Sequence, residues 1–256
     1  MSESTKKPNQ LAVYDGTEYA ITRSSISELP SILDANIGSG NDINEFDMDR
    51  VSVPAGGGLA WSVPDINGEP QPEKELVGVI LLHGDRRVYW EKSFDETGAG
   101  SPPDCSSLDS RNGFGIIRGG DVPESRACKT CPMSQWGSGK PDDDNDNSQA
   151  CSQRKIAYLI REDDILPLII DLAPTSVREF NRFMLRLVSR GIPCWSAVVA
   201  VGLRQEQSTG NVKYSVAMLR LVSRLPDDQA AKMHAAAQAM KPYFDKTDAA
   251  PMPQDA

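Results

Sequence analysis

The sequence predicts an α+β protein in which an antiparallel, β-rich domain is interrupted by a polar, cysteine-bearing insert and flanked by two helices. Three observations lead there. Short β-branched apolar runs bounded by turn residues recur between Leu76 and Arg224, two later segments carry helical periodicity with recognisable ends, and residues 101–153 are Gly, Pro, Ser, Asp and Cys with little periodicity. The chain has 256 residues, 39% hydrophobic and 25% charged, a size that suits one large domain or two small ones. Ordered core patterns resume after the insert, so the expected organisation is a leader at 1–10, one domain over 11–245 interrupted at 101–153, and a disordered acidic tail at 246–256.

Taken in order, MSESTKKPNQ has no apolar stretch after its lysines, unlike a secretory signal or a transit peptide, and a cytoplasmic location is expected. No stretch approaches the ~18 consecutive apolar residues of a membrane span. LAVYDGTEYAIT can form a short strand pair, and ISELPSILDANI a short helix that stops near Gly38. In NDINEFDMDRVSVPAGGGLAWSVP three glycines separate two apolar segments. Without a following GKS or GKT they are no nucleotide phosphate loop; a flexible hairpin connection and a close backbone approach to a ligand both fit.

LVGVILLHG at 76–84 reads as a buried strand, continued by RRVYWEKSF. After the insert, KIAYLI and ILPLIIDLA are two strands joined by the turn-like REDD. A helix is expected over 176–190: Ser176 and Glu179 fit a capping box, Pro174 precedes it and Gly191 follows it. Val177, Phe180, Met184, Leu187 and Val188 would form its apolar face. CWSAVVAVGLR and VKYSVAMLRLVSR are strands joined through QEQSTGN, where Gly210 and Asn211 support a hairpin turn. The last helix runs from Asp227 to Phe244, alanine-rich with acids in its first turn.

Four of the five cysteines, Cys105, Cys128, Cys131 and Cys151, bracket the insert with the spacing C-x22-C-x2-C-x19-C. A segment this poor in apolar side chains cannot build its own core and needs a staple. Four thiolates around one Zn2+ supply one, the C-x2-C pair reaching the ion from a tight turn. A disulfide set would need an oxidising compartment, and a redox C-x-x-C would open a helix in a βαβ unit that is not visible here. No H-x-E or HExxH motif accompanies the cysteines, which points to structural zinc. Cys194 beside a strand fits a buried small hydrophobe.

The net charge of −9 speaks against a uniformly basic nucleic-acid binder, yet it is unevenly spread. Residues 1–104 hold 8 Lys/Arg against 18 Asp/Glu, whereas residues 151–224 hold 11 against 6. A basic track is therefore possible on an acidic chain. Arg86, Arg87, Tyr89, Trp90 and Lys92 interleave cations with aromatics, the combination that holds phosphates and stacks bases. On a strand, Arg86, Val88, Trp90, Lys92 and Phe94 would share one face and Arg87 and Tyr89 the other; the same rings could equally serve the core. Arg178, Arg182, Arg186 and Arg190 lie four apart on the helix, and Arg204, Lys213 and Tyr214 lie in the final strands, with Trp136 beyond the C-x2-C turn. No G-x-S-x-G, H-x-D pair or Walker motif occurs, and Asp142, Asp143 and Asp144 sit in a loop where solvation is expected, so no catalytic residue is assigned.

GVILLHGDRRVYW, PDCSSLDSRNG, CKTCPMSQWGSG, ACSQRK and ILPLII with the following APTSVREF resemble, over most of residues 45–225, a group of phage and mobile-element proteins in which a cysteine-bearing insert interrupts a β-rich domain. More distantly the chain is similar to phage replication single-stranded-DNA-binding proteins, which combine an OB-type barrel, a zinc subdomain and an acidic C-terminal region. The resemblance implies an antiparallel OB-like β-barrel whose Arg/aromatic strand and basic final strands line a cleft. This chain differs in having no histidine in its metal set and only a weakly acidic tail. The expectation is sequence-tolerant, non-catalytic binding of single-stranded DNA in phage or mobile-element replication or recombination. Structural Zn2+ would staple the insert, and acidic segments would reach replication or recombination proteins. The alternative is a zinc-stabilised interaction or regulatory module acting on a host or phage protein.

Overall fold

Fifteen consecutive residues of one strand, β4 (Glu75–Tyr89), organise the sheet. The computed structural model describes residues 18–23, 28–38, 43, 45–92, 103–140, 147–208 and 210–244. The expected leader and tail, Phe94 and the Asp142 to Asp144 run lie outside the described residues. Along one edge β4 pairs with β8 (Cys151–Ile160), which turns back into β9 (Leu168–Leu172), and β1 (Arg50–Ser52) adds to β9 in parallel. Its other edge is divided. The N-terminal part takes β10 (Ala197–Gln207), itself in a hairpin with β11 (Lys213–Arg224), and the C-terminal part takes β5 (Cys105–Ser107), followed by β6 (Asn112–Gly115) and β7 (Glu124–Ala127). A separate hairpin joins β2 (Trp61–Pro64) to β3 (Pro70–Glu73).

The helices are α1 (Ala20–Arg23), α2 (Leu29–Ile37), α3 (Pro174–Val188) and α4 (Asp227–Phe244). Alternate residues of the central strands go to opposite sides. Leu76, Ile80, Ala157, Leu159 and Ile170 meet Phe180, Phe183 and Leu187 of α3. Val79, Leu81, Ile160 and Val198 meet Met233, Ala236 and Ala237 of α4, joined by Tyr19 and Ile21. Ile156, Tyr158 and Ile169 extend that second layer to Leu29 and Met240, and Tyr158 stacks on Phe244 with ring centroids 4.0 Å apart.

The mixed α+β class and the large, mostly antiparallel sheet agree with the sequence. The OB-like barrel does not appear as a closed ladder: among the described residues β1, β7 and β11 each pair on one edge only. The physical reason lies in the apolar runs. KIAYLI and LVGVILL are apolar at consecutive positions because helices cover both faces of the sheet, and a sheet sandwiched in this way has no need to curl around its own interior.

Other local expectations change too. The described part of LAVYDGTEYAIT forms α1, not a strand. Helix α3 begins at Pro174 without a side-chain cap, and the Ser176 hydroxyl instead accepts the Ala217 N–H at 2.9 Å, tying the helix to β11. Its buried arc takes in Phe183 and leaves Val188 exposed. Gly191 closes the helix as expected, at φ 64° with the Ile192 N–H donated to the Leu187 carbonyl. The three glycines lie in a short turn that is tied to the final hairpin. The Gly57 and Gly58 carbonyls accept Gln205 Nε2 and Ser215 Oγ at 2.8 and 2.7 Å, and a Cβ on Gly57 would lie 2.6 Å from Gln205 Nε2.

Phe180 is fully buried at the contact of α3 with the sheet. Phe180→Ala is expected to lower unfolding stability by about 3–5 kcal/mol in urea denaturation.

Candidate metal centre and nucleic-acid interface

The insert is grafted directly onto the sheet. Tyr89 pairs with Cys151 on one side and with Cys105 on the other, so the two cysteines flank it in register on the same face. The other two sit on a tight turn: the Cys131 N–H donates to the Cys128 carbonyl at 3.2 Å. That turn is held from within. The Ser134 hydroxyl is shared between the Cys128 and Cys131 carbonyls at 2.5 and 2.8 Å, and Gln135 Nε2 donates to the carbonyls of Lys129 and Cys131, both at 3.1 Å. None of the five cysteines is in a disulfide, and Cys194 lies apart from the other four, next to Trp195.

The four thiols line one cavity of about 10 Å³, which admits roughly one water-sized sphere. Gly113 lies against the thiols: a Cβ there would stand 3.4 Å from both Cys105 Sγ and Cys128 Sγ, in contact with both. Gly115, at φ 144°, allows β6 to press against Cys105, since a Cβ there would lie 2.5 Å from the Cys105 Cα. Burial pushes the Cys151 thiol up to about 11, against the opposing pull of Arg87, and burial likewise raises Cys105 against Arg126. Both guanidiniums line the cavity.

In kind and number these groups fit a closed thiolate site for Zn2+, and two neighbouring cations suit a centre that four thiolates would leave with excess negative charge. Among the described residues no group of three or more His, Cys, Asp or Glu is already arranged to hold a metal ion.

The expected nucleic-acid residues divide sharply. Tyr89 is 1% exposed, forms the floor between Cys105 and Cys151, and donates its hydroxyl to Glu91 at 3.0 Å. It presents no ring face to a base. Arg86 is 5% exposed, on the opposite face from the thiols, with its Cζ 5.9 Å from the Phe46 ring centroid, and it likewise does not reach the surface. Both corrections have one cause: β4 is central in the sheet, and at these two positions other side chains cover it on both faces. Arg87 and Trp90 are half-buried, whereas Lys92 is exposed and Trp136 is 72% exposed. On α3, Arg178, Arg182 and Arg186 are exposed, and Arg182 pairs with Glu179 at 3.0 Å; the helix ends at Val188, short of the expected 190, so exposed Arg190 lies in the turn that follows it. Arg204 and Lys213 are exposed near the β10–β11 turn. Glu206 is shared by Arg204 and by the hydroxyl of half-buried Tyr214, at 3.0 Å.

Sequence reasoning passed over Gly113 and Gly115, whose spacing in NGFG was visible, and Ser134 and Gln135, whose role depends on the fold of the turn. No known protein family, curated protein or solved structure matches this chain. Among the described residues no helix is long and apolar enough to cross a membrane.

Ser134→Ala removes the donor shared by two buried carbonyls and is expected to weaken the insert by about 1–2 kcal/mol. The measurement is thiol reactivity in chelator: Cys128 and Cys131 should react several-fold faster with a disulfide reagent while the main thermal transition barely moves.

Proposed function

We propose that this chain binds single-stranded nucleic acid without sequence preference, as a non-catalytic protein of phage or mobile-element DNA replication or recombination. The observation that carries the reading is the outer side of α3. Three guanidiniums, Arg178, Arg182 and Arg186, stand there in exposed positions about 6 Å apart along the axis, with Arg190 in the turn just beyond, on a chain whose net charge is −9. Such a row meets successive backbone phosphates, with Arg204 and Lys213 on the β10–β11 hairpin extending the cationic set. The helix is fixed to that hairpin by the Ser176 to Ala217 hydrogen bond and by the Thr175 hydroxyl on the Ser215 carbonyl at 3.4 Å. Exposed Trp136 supplies a ring for base stacking. The resemblance to phage replication proteins adds the biological setting.

Zn2+ held by Cys105, Cys128, Cys131 and Cys151 completes the reading as a structural centre. When bound it would cross-link β5, the C-x2-C turn and the start of β8, three segments with little apolar core between them. A second reading, a docking module, draws on the exposed Phe114, Val122 and Trp136 of the insert.

Purified protein should carry one zinc per chain that resists dialysis, measured by elemental analysis, and Cys151→Ser should lose it with the insert loosened and the main melting transition retained. A folded insert free of zinc would sink the metal assignment.

Wild-type protein should bind oligo-dT at low salt in fluorescence anisotropy. Replacing Arg178, Arg182 and Arg186 together by Gln should weaken binding and reduce the slope of log K against log salt by about 2, at about 0.7 per lost phosphate contact. No binding at low salt, or an unchanged slope, would overturn the proposal.

A further inference from the structure

A second surface has the opposite charge. Where β8 ends, the chain turns through Arg161–Leu168, and a cavity of about 870 Å³ opens between that turn, the β2–β3 hairpin and Asp47–Asp49. Val63 and Leu168 belong to the core on the α3 side and Tyr19 to the core on the α4 side, and all three line the cavity. It therefore runs across the end of the sheet. The ladder of β4 with β8 stops at Val79, whereas its ladder with β10 continues to Glu75. Among the described pairings, residues 75–78 of β4 are thus bonded along one edge only, and Val77 lines the groove.

The lining combines negative charge with uncovered apolar side chains. Among the described residues the lining carries Asp47, Asp49, Asp65, Glu162, Asp163 and Asp164 together with Arg161, whose Nη2 is 3.0 Å from Glu73 Oε1. Asp65 is occupied locally, accepting the Asn67 and Glu69 N–H groups at 2.8 and 3.0 Å. Asp164 is half-buried, and its carboxyl is held above the usual range by burial first, with Asp163, Asp49 and Glu73 adding to it against Arg161. Ile66 is 99% exposed and Val77 45% exposed. This charge repels phosphate, and among the described residues no carboxylate group is arranged to hold a metal ion. A cationic occupant with apolar side chains relieves both features at once.

We propose that this groove docks a basic, extended protein segment in which cationic and apolar side chains alternate. The segment would run beside Glu75–Gly78, its cations among Asp49, Asp163 and Asp164 and its apolar side chains against Ile66 and Val77. Side-chain alternation in an extended strand sends successive residues to opposite sides, so one segment can satisfy both linings. The site is separate from α3 and does not depend on the nucleic-acid reading.

The test uses the full chain and a fluorescein-labelled hexapeptide of alternating lysine and valine, read by anisotropy. Wild-type protein should bind it. The double substitution Asp163→Asn with Asp164→Asn should weaken binding about tenfold, and Ile66→Ser several-fold, with oligo-dT binding and melting temperature unchanged. A lysine–serine hexapeptide should bind several-fold more weakly, and a glutamate–valine hexapeptide should not bind. The proposal is overturned if the lysine–valine peptide does not bind, if the glutamate–valine peptide binds equally well, if the lysine–serine peptide binds as tightly as the lysine–valine one, or if the substitutions leave affinity unchanged.

Discussion

The rest of the molecule depends on the continuity of β4. Its first residues build the core between α3 and α4, and its last residue is flanked by Cys105 and Cys151. One strand of this length passes from the core between the helices into the region lined by the four thiols. The division of its edge between β10 and β5 is what allows both to exist in one sheet. Anything that displaces β4 therefore disturbs the core and the thiol cavity together.

That continuity also explains why the insert needs so little core of its own. Among the described residues, Tyr89, Ile117 and Met133 accompany Cys105, Cys131 and Cys151 in its buried cluster, with Ala150 packed against them. Tight turns do the rest: the hydroxyl of Ser134 and the amide of Gln135 satisfy the carbonyls of the C-x2-C turn, and the Asp109 carboxylate accepts the Arg111 and Asn112 N–H groups at 2.7 and 2.9 Å. Polar insertions survive in folded proteins when their backbone groups are paired in this way. The thiols add the remaining constraint, whether by packing or by shared coordination.

Charge is partitioned by the fold in a manner the totals conceal. The guanidiniums of α3 face outward because its inner face is fully used by Phe180, Phe183 and Leu187. Carboxylates collect instead around the turn after β8, where the REDD segment meets residues 47–49. Two surfaces of opposite sign on one chain favour partners of opposite charge, and a surface rich in carboxylates keeps phosphates away from itself.

By itself the sequence determined the long central strands, the hairpin of β10 with β11, the helix Asp227–Phe244 and the grouping of four cysteines around a polar insert. These follow from period, turn chemistry and spacing, which are local. Only the tertiary structure decided which aromatic and cationic side chains reach solvent. Tyr89 and Arg86 lie in a strand with neighbours on both edges and layers on both faces, so burial overrode the Arg/aromatic pattern that pointed to a cleft. The open sheet in place of a barrel, the tertiary use of Ser176 and the acidic groove have the same origin. Each depends on which segments meet across long sequence separations, and no periodicity along the chain records that.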